Sequence, residues 1–170
     1  KTLLIGAGEM AELAARHLVS HGVTSLSVAN RTFHRAVQVA ESFKGTPVSF
    51  EEIGSQLIEV DIVITSTASA KYVIDYDQVK SSLGKRRNRP LFFIDIAVPR
   101  DVEPSVNDLE NVYVYDIDDL KGVIEINVAQ RNQEALKAER IVQEEVIKFE
   151  KWLKTLEVVP TIISLREKTE

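Results

Sequence analysis

Through its first two thirds the chain alternates short apolar runs with stretches whose apolar residues recur at helical spacing. Thr2-Leu3-Leu4-Ile5 comes first, and an Ala- and Leu-rich stretch from about Glu9 to His21 follows, ended by Gly22. Ser25 to Ala29 reads as a second strand, and Thr32 stands where a residue would cap a helix reaching Phe43. A weak third strand (Pro47 to Phe50), a helix (Glu51 to Ile58) and strands at Asp61–Thr65, Leu91–Asp95 and Val112–Tyr115 complete the series. Continuous apolar runs of this kind suit strands buried on both faces, as in a parallel sheet. Strands alternating with helices make βαβ units, whose right-handed crossovers wind helices onto both faces. The pattern predicts an α/β domain, a doubly wound parallel sheet of six strands, over residues 1–118.

The remainder has a different pattern. From about Asp119 to Leu156 there is no Pro, and the only Gly is Gly122. Ala135, Ala138, Val142, Val146, Phe149, Leu153 and Leu156 recur at three- and four-residue steps, with Glu134, Lys137, Glu144 and Lys151 among the residues between. This predicts one long amphipathic C-terminal helix, about 55 Å at about 1.5 Å per residue. Such a helix overshoots a domain of this size, so part of its stripe must meet another surface. Residues 119–158 therefore form a linking helix. Pro160 breaks the pattern, and Thr161 to Glu170 reads as the first turns of a further element, cut short. The chain also opens directly on a strand without an initiating Met, which predicts further residues upstream.

Composition narrows the classes of function. Cysteine is absent, so this chain holds no disulfide, no Cys-type zinc site and no thiolate nucleophile. A net charge of −5 argues against a dedicated nucleic-acid surface, which needs clustered cations. No apolar run is long enough to span a bilayer, and no secretory signal pattern is present. A cytoplasmic location with no membrane partner is expected.

Gly6-Ala7-Gly8-Glu9-Met10-Ala11 fits G-x-G-x-x-A between a strand and a helix, the dinucleotide-binding (Rossmann) fingerprint in its proper context. In that reading Gly6 permits the tight turn, Gly8 lets backbone approach a pyrophosphate, and Ala11 keeps helix and strand close. The free N–H groups and positive dipole end of the helix then face the phosphates. An NAD site places an acid about 20 residues beyond the glycines, at the end of the second strand, to bind the ribose hydroxyls. Here that position reads Ala29-Asn30-Arg31-Thr32, and no acidic residue lies between Glu12 and Glu41. Arg31 can pair with a 2′-phosphate and Thr32 can donate to it, with Asn30 and Arg35 in reach, so NADPH is the expected cofactor.

Thr65-Ser66-Thr67-Ala68-Ser69 follows the fourth strand at the edge where ligands lie. Its small residues, Ser66 and Thr67 above all, leave room for the cofactor. Asp95-Ile96-Ala97-Val98-Pro99-Arg100-Asp101 follows the fifth strand; either it borders the nicotinamide end, through Ala97 and Val98, or it is a loop stiffened by Pro99 with Asp101 capping a short turn. His17 and His21, four apart on one helix, lack a third ligand in sequence and read as surface residues, so no metal site is expected. The run Lys85 to Arg89 reads as a solvated loop, and Phe149 and Trp152 read as packing residues.

Taken together, LLIGAGEMAELAARHL, VANRT, FFIDIAVPRDVEP, VYVYDIDDL and KAERIVQEEVIKFEKWL resemble glutamyl-tRNA reductase, and VVPTIISLRE is similar to the start of that family's dimerisation region. The resemblance covers essentially the whole chain, and IDIAVPRD followed by YDIDDL is its most specific part. It implies a three-part enzyme with a cysteine-bearing N-terminal catalytic domain, a middle NADPH domain and a spinal helix leading to a dimerisation domain. Such an enzyme captures the glutamyl group of glutamyl-tRNA as a thioester and reduces it with NADPH to glutamate-1-semialdehyde, for tetrapyrrole synthesis. This chain would be the middle domain and spinal helix, with 159–170 the start of the dimerisation region. The absence of Cys places the nucleophile elsewhere, so no residue here is expected to be catalytic and the chain alone is expected to be inactive. Its task would be to hold, orient and swing the hydride donor. Gly6, Gly8, Ala11, Asn30, Arg31 and Thr32 map onto the family's cofactor positions, with Ala7, Glu9 and Met10 lying between them. The implied partners are glutamyl-tRNA through the N-terminal domain, a second copy in a homodimer, and the next enzyme of the pathway. Two alternatives stay open: an NADP-dependent reductase domain of the shikimate-dehydrogenase type, and a non-catalytic dinucleotide-binding dimerisation module.

Overall fold

A computed structural model of the chain describes residues 1–87, 89–156 and 163. Strands β1 (Thr2–Ile5), β2 (Leu26–Ala29), β3 (Thr46–Val48), β4 (Ile62–Thr65), β5 (Leu91–Asp95) and β6 (Val112–Asp116) pair in parallel in the order β3-β2-β1-β4-β5-β6. Between them run α1 (Glu9–Ser20), α2 (Phe33–Ser42), α3 (Ile53–Glu59) and α4 (Tyr76–Leu83). The strand order reverses between β1 and β4, where open parallel sheets form their ligand crevice.

Strands were expected to be buried on both faces, and the central ones are; β6 instead exposes Tyr113 and Tyr115 on one face, and β3 buries only Val48, because each lies at an edge of the sheet. Leu3, Ile5, Val63 and Phe93 pack with Ile53 and Leu57 of α3 and Val79 of α4. Leu4, Val28 and Ile64 pack on the opposite face with Ala11 and Ala15 of α1 and Ala36, Val39 and Ala40 of α2. Small residues at 11, 15, 36 and 40 let both helices lie close to the strands. That closeness holds the start of α1 at the crevice.

Two features depart from the sequence pattern. Helix α4 was not expected, although Tyr76, Val79 and Leu83 recur at helical spacing: it is only eight residues long, and of these only Val79 and Ser82 are buried. It is started locally: the Asp75 side chain accepts from Gln78 N at 2.8 Å, satisfying a donor the first turn leaves open. The basic run also differs from the solvated loop expected of it. Arg86 is 1% exposed. Its guanidinium donates to the carbonyls of Leu57, Val60 and Pro90, the last two at 2.5 and 2.7 Å. Two of those carbonyls lie at the end of α3, where helix geometry leaves acceptors without partners and the dipole favours a cation. Arg89 adds a bond to Ile58 O at 2.6 Å. A charge was buried because carbonyls awaited it, which no local pattern reveals.

The chain divides into two compact units, residues 1–121 and 122–170. Helix α5 (Ile117–Leu156) starts in the first unit, where the Asp116 side chain accepts from the N–H groups of Asp118 and Asp119 at 2.9 and 3.0 Å. Along the second unit the helix presents large apolar side chains that are about half exposed, among them Val142, Val146, Phe149 and Trp152. Exposed pairs such as Lys137–Glu134 and Arg140–Glu144 occupy its charged positions, where each contributes only about 0.3–0.5 kcal/mol. The element expected over Thr161–Glu170 lies, apart from Ile163, outside the described residues. No helix among the described residues is long and apolar enough to cross a membrane.

Candidate functional site

A cleft of about 530 Å³ opens at the carboxyl edge of the sheet, between the glycine turn after β1 and the ends of β2 and β4. Its floor is Gly6, Ala7, Gly8, Glu9 and Met10. The two glycines do different work. Gly6 has φ +118°, and a Cβ there would fall 2.3 Å from the Ser66 carbonyl oxygen, so both the backbone angle and the approach of the β4 loop demand glycine. Gly8 has extended backbone, and a Cβ there would meet no atom of the protein within 4 Å. Nothing inside the fold requires glycine at that position. The space it leaves lies in the cleft, where backbone could approach a ligand closely.

Gly8 is also the N-cap of α1 and offers no side chain to cap it, so N–H groups of the first turn stay available. Ala11 is fully buried against the sheet and does not line the cleft. It serves packing, as the motif requires.

At the mouth stand Asn30, Arg31, Thr32 and Arg35. Thr32 occupies the N-cap position of α2, but its side chain makes no capping bond, which leaves the hydroxyl open. Asn30 Nδ2 instead donates to Thr32 O at 3.0 Å, fixing the turn. Among the described residues neither Arg31 nor Arg35 forms a salt bridge. Two cations that form no salt bridge among the described residues, together with a free hydroxyl, suit an anionic group with several oxygens.

Ser66 and Thr67 line the cleft after β4 with Ala68 and Ser69, and Phe50, just after β3, lines it as well. Phe50 was missed because no motif marks it. It reaches the cleft only because β3 lies beside β2.

Behind that lining lies a pair of buried carboxylates. Asp95 accepts from Thr65 Oγ1 and from the N–H groups of Ala97, Asp101 and Val102, all at 2.9–3.0 Å. Asp101, fully buried, takes the Thr67 N–H at 2.8 Å and the Thr67 hydroxyl at 2.5 Å. Burial pushes the Asp101 carboxyl above its ordinary range, the two Thr67 bonds pull it back, and the neighbouring Asp95 charge adds to the rise. The turn-capping role expected of Asp101 is thus replaced by a tie between the loops after β4 and β5.

Ala97 and Val98 sit apart from the main cleft, in a recess of about 190 Å³ shared with Arg100 and Asp116. Ala97 is buried beneath it, Val98 is 80% exposed, and Arg100 pairs with Asp116. His17 on α1 and His21 just past its end lie exposed, the His21 ring 2.8 Å from His17 O. Among the described residues no group of three or more His, Asp or Glu side chains gathers to hold a metal ion.

The strand order, the glycine turn and the cleft define a nucleotide-binding α/β domain. The chain belongs to the shikimate / quinate 5-dehydrogenase family, whose model matches residues 1–123. Residues 137–170 match the model of the glutamyl-tRNAGlu reductase dimerisation domain. Across its full length the chain is 57% identical to a glutamyl-tRNA reductase of Desulfatibacillum aliphaticivorans, and over 99% of its length 54% identical to that of Geobacter metallireducens. Each match takes in 39% of the longer protein, so the chain spans about two fifths of these curated relatives. The structure of glutamyl-tRNA reductase from Methanopyrus kandleri is similar with a TM-score of 0.78 and 42% identity, over 91% of this chain and 39% of that one. A nucleotide binding domain of glutamyl-tRNA reductase from Thermoplasma volcanium shares the fold, with a TM-score of 0.58 at 23% identity, over 77% of this chain and 84% of that one.

Proposed function

We propose that this chain is the NADPH-binding part of a glutamyl-tRNA reductase, with 1–118 as cofactor domain, 119–158 as linking helix and 159–170 as the start of a dimerisation region. The observation that carries the cofactor assignment is the mouth of the cleft: Arg31 and Arg35, free of salt bridges among the described residues, stand there with the uncapped Thr32 hydroxyl. A 2′-phosphate needs that chemistry, whereas an NAD ribose needs a carboxylate in the same place. The room beside Gly8 and the open N–H groups of α1 suit the pyrophosphate. Asn30 would hold the ribose-side turn, Ser66 and Thr67 would border the cofactor, and Ala97 and Val98 would border its nicotinamide end. When bound, NADPH supplies a hydride; this chain's residues bind and orient the donor.

The chain has no cysteine, so the thiolate that captures the glutamyl group of glutamyl-tRNA is supplied by the remainder of the longer protein. The whole enzyme then forms glutamate-1-semialdehyde for tetrapyrrole synthesis as a cytoplasmic homodimer that hands its product to the next enzyme. Full-length identity above 50% and the dimerisation-domain match support this over a shikimate-dehydrogenase-type reductase, which would leave α5 without a role.

Calorimetric titration tests the cofactor assignment. NADPH should bind at least about tenfold tighter than NADH, a difference of about 1.4 kcal/mol. Arg31→Asp should erase that preference by setting a carboxylate against the 2′-phosphate. Equal affinities in the unaltered chain would overturn the assignment.

A further inference from the structure

Arg31 carries the cofactor reading, yet it is an exposed, flexible side chain with no carboxylate to hold it among the described residues. Such a side chain loses considerable rotamer freedom when it is fixed on a phosphate. Among the described residues its side chain has one hydrogen-bond partner, across the cleft, where Arg31 Nη2 donates to Ser69 Oγ at 3.4 Å. Ser69 is itself well fixed. It is 7% exposed, its N–H donates to Thr67 Oγ1 at 3.1 Å, and its Oγ also accepts the Lys71 N–H at 3.3 Å. Thr67 in turn donates to the buried carboxylate of Asp101, and the Asp101 N–H donates to that of Asp95. A continuous chain of hydrogen bonds therefore runs from the interior of the sheet edge to the guanidinium at the mouth.

We propose that Ser69 is a positioning residue that presets Arg31 over the cleft and so determines how strongly the site prefers a 2′-phosphorylated cofactor. The inference rests on the NADPH reading given above. At 3.4 Å the Arg31–Ser69 bond is long and its acceptor neutral, so it directs the guanidinium without competing with a phosphate for it. An aspartate at 69 would instead neutralise the cation. An alanine would leave it to wander in solvent, and ordering it would then be charged against binding. The small residue with one hydroxyl is the choice that does neither. Asp101, through Thr67, holds the Ser69 backbone N–H, and the Lys71 N–H holds the hydroxyl, so a loop carries a fixed point supported from beneath.

Binding of NADPH and NADH to the full chain and its variants tests this, read as a ratio of dissociation constants. Ser69→Ala should weaken NADPH about fivefold while leaving NADH within about twofold, and Ser69→Thr should restore the ratio. In an Arg31→Gln background Ser69→Ala should change neither constant, because a residue acting through Arg31 has nothing left to position. Equal weakening of both cofactors, or the same loss with Arg31 already replaced, would show a merely structural role and overturn the proposal. An unchanged ratio in Ser69→Ala would overturn it as well. If the unaltered chain shows no preference for NADPH, the cofactor reading fails first and this inference falls with it. If that preference is intact and Ser69→Ala keeps it, only the inference fails.

Discussion

The α/β unit and the long helix handle apolar residues in opposite ways. In the first unit Leu3, Leu4, Ile5, Val28, Val63 and Phe93 are fully buried, the central strands covered by helices on both faces. In the second, Val142, Val146, Phe149 and Trp152 keep about half their surface exposed on α5. Both regions are written with similar residues. The sheet can close on itself because parallel strands bring their own crossover helices. A single helix has only one stripe and nothing of its own to cover it. Burial of each large side chain against a further surface would contribute about 1.5–3 kcal/mol.

The largest effect expected lies in the closed unit. Gly6→Ala drives a Cβ into the Ser66 carbonyl oxygen, 2.3 Å away, and forces a left-handed backbone on a residue that resists it. Urea unfolding should show a loss of about 3 kcal/mol or more. Gly8→Ala sharpens the contrast between the two glycines. It meets open space, so stability should fall by no more than about 1 kcal/mol, as for an ordinary N-cap change. Dinucleotide affinity should nevertheless drop about tenfold or more. A Gly8→Ala chain that binds NADPH normally would mean the open space is not the cofactor's.

On the helix the expectation reverses. Phe149→Glu should leave the unfolding of the α/β unit within about 0.5 kcal/mol. Self-association, followed by light scattering against concentration, should weaken about tenfold, since the proposed second copy loses a large apolar contact. A destabilised α/β unit with unchanged association would break the contrast.

The smallest effect is acid dependence at the junction of the two regions. Hydrogen bonds from the Asp119 and Asp118 N–H groups, with Arg100 nearby, hold the Asp116 carboxyl below its ordinary range. A carboxyl lowered by folding adds stability that is present above its unfolded pKa and lost as pH falls through the lowered value. Asp101, raised by burial, acts in the opposite sense, favouring the folded state as its carboxyl takes up a proton. Stability measured below about pH 4 should therefore fall less steeply in Asp116→Asn than in the unaltered chain. An identical slope would show that Asp116 does not feed the acid transition.

The sequence alone determined the elements whose cause is local. Apolar runs predicted all six strands to within a residue or two, most directly the central ones, where burial on both faces leaves little other composition. The run from Asp119 to Leu156 predicted α5, since apolar periodicity without a breaker leaves few alternatives to one helix. The glycine turn and the residues after β2 were legible for the same reason: a tight turn and an acid-free strand end are written in adjacent letters. Where a cause lies far along the chain, only the tertiary structure decided the outcome. Arg86 was buried by carbonyls contributed from residues 57, 60 and 90, and Asp101 was turned inward by the hydroxyl of Thr67, 34 positions earlier. Phe50 reached the cleft because β3 lies beside β2, and the Ser69 hydroxyl met the Arg31 guanidinium, 38 positions earlier, because β4 lies beside β1. Hydrogen-bond partners and cleft neighbours are selected by distance in space, and strand order sets that distance only after the sheet has formed.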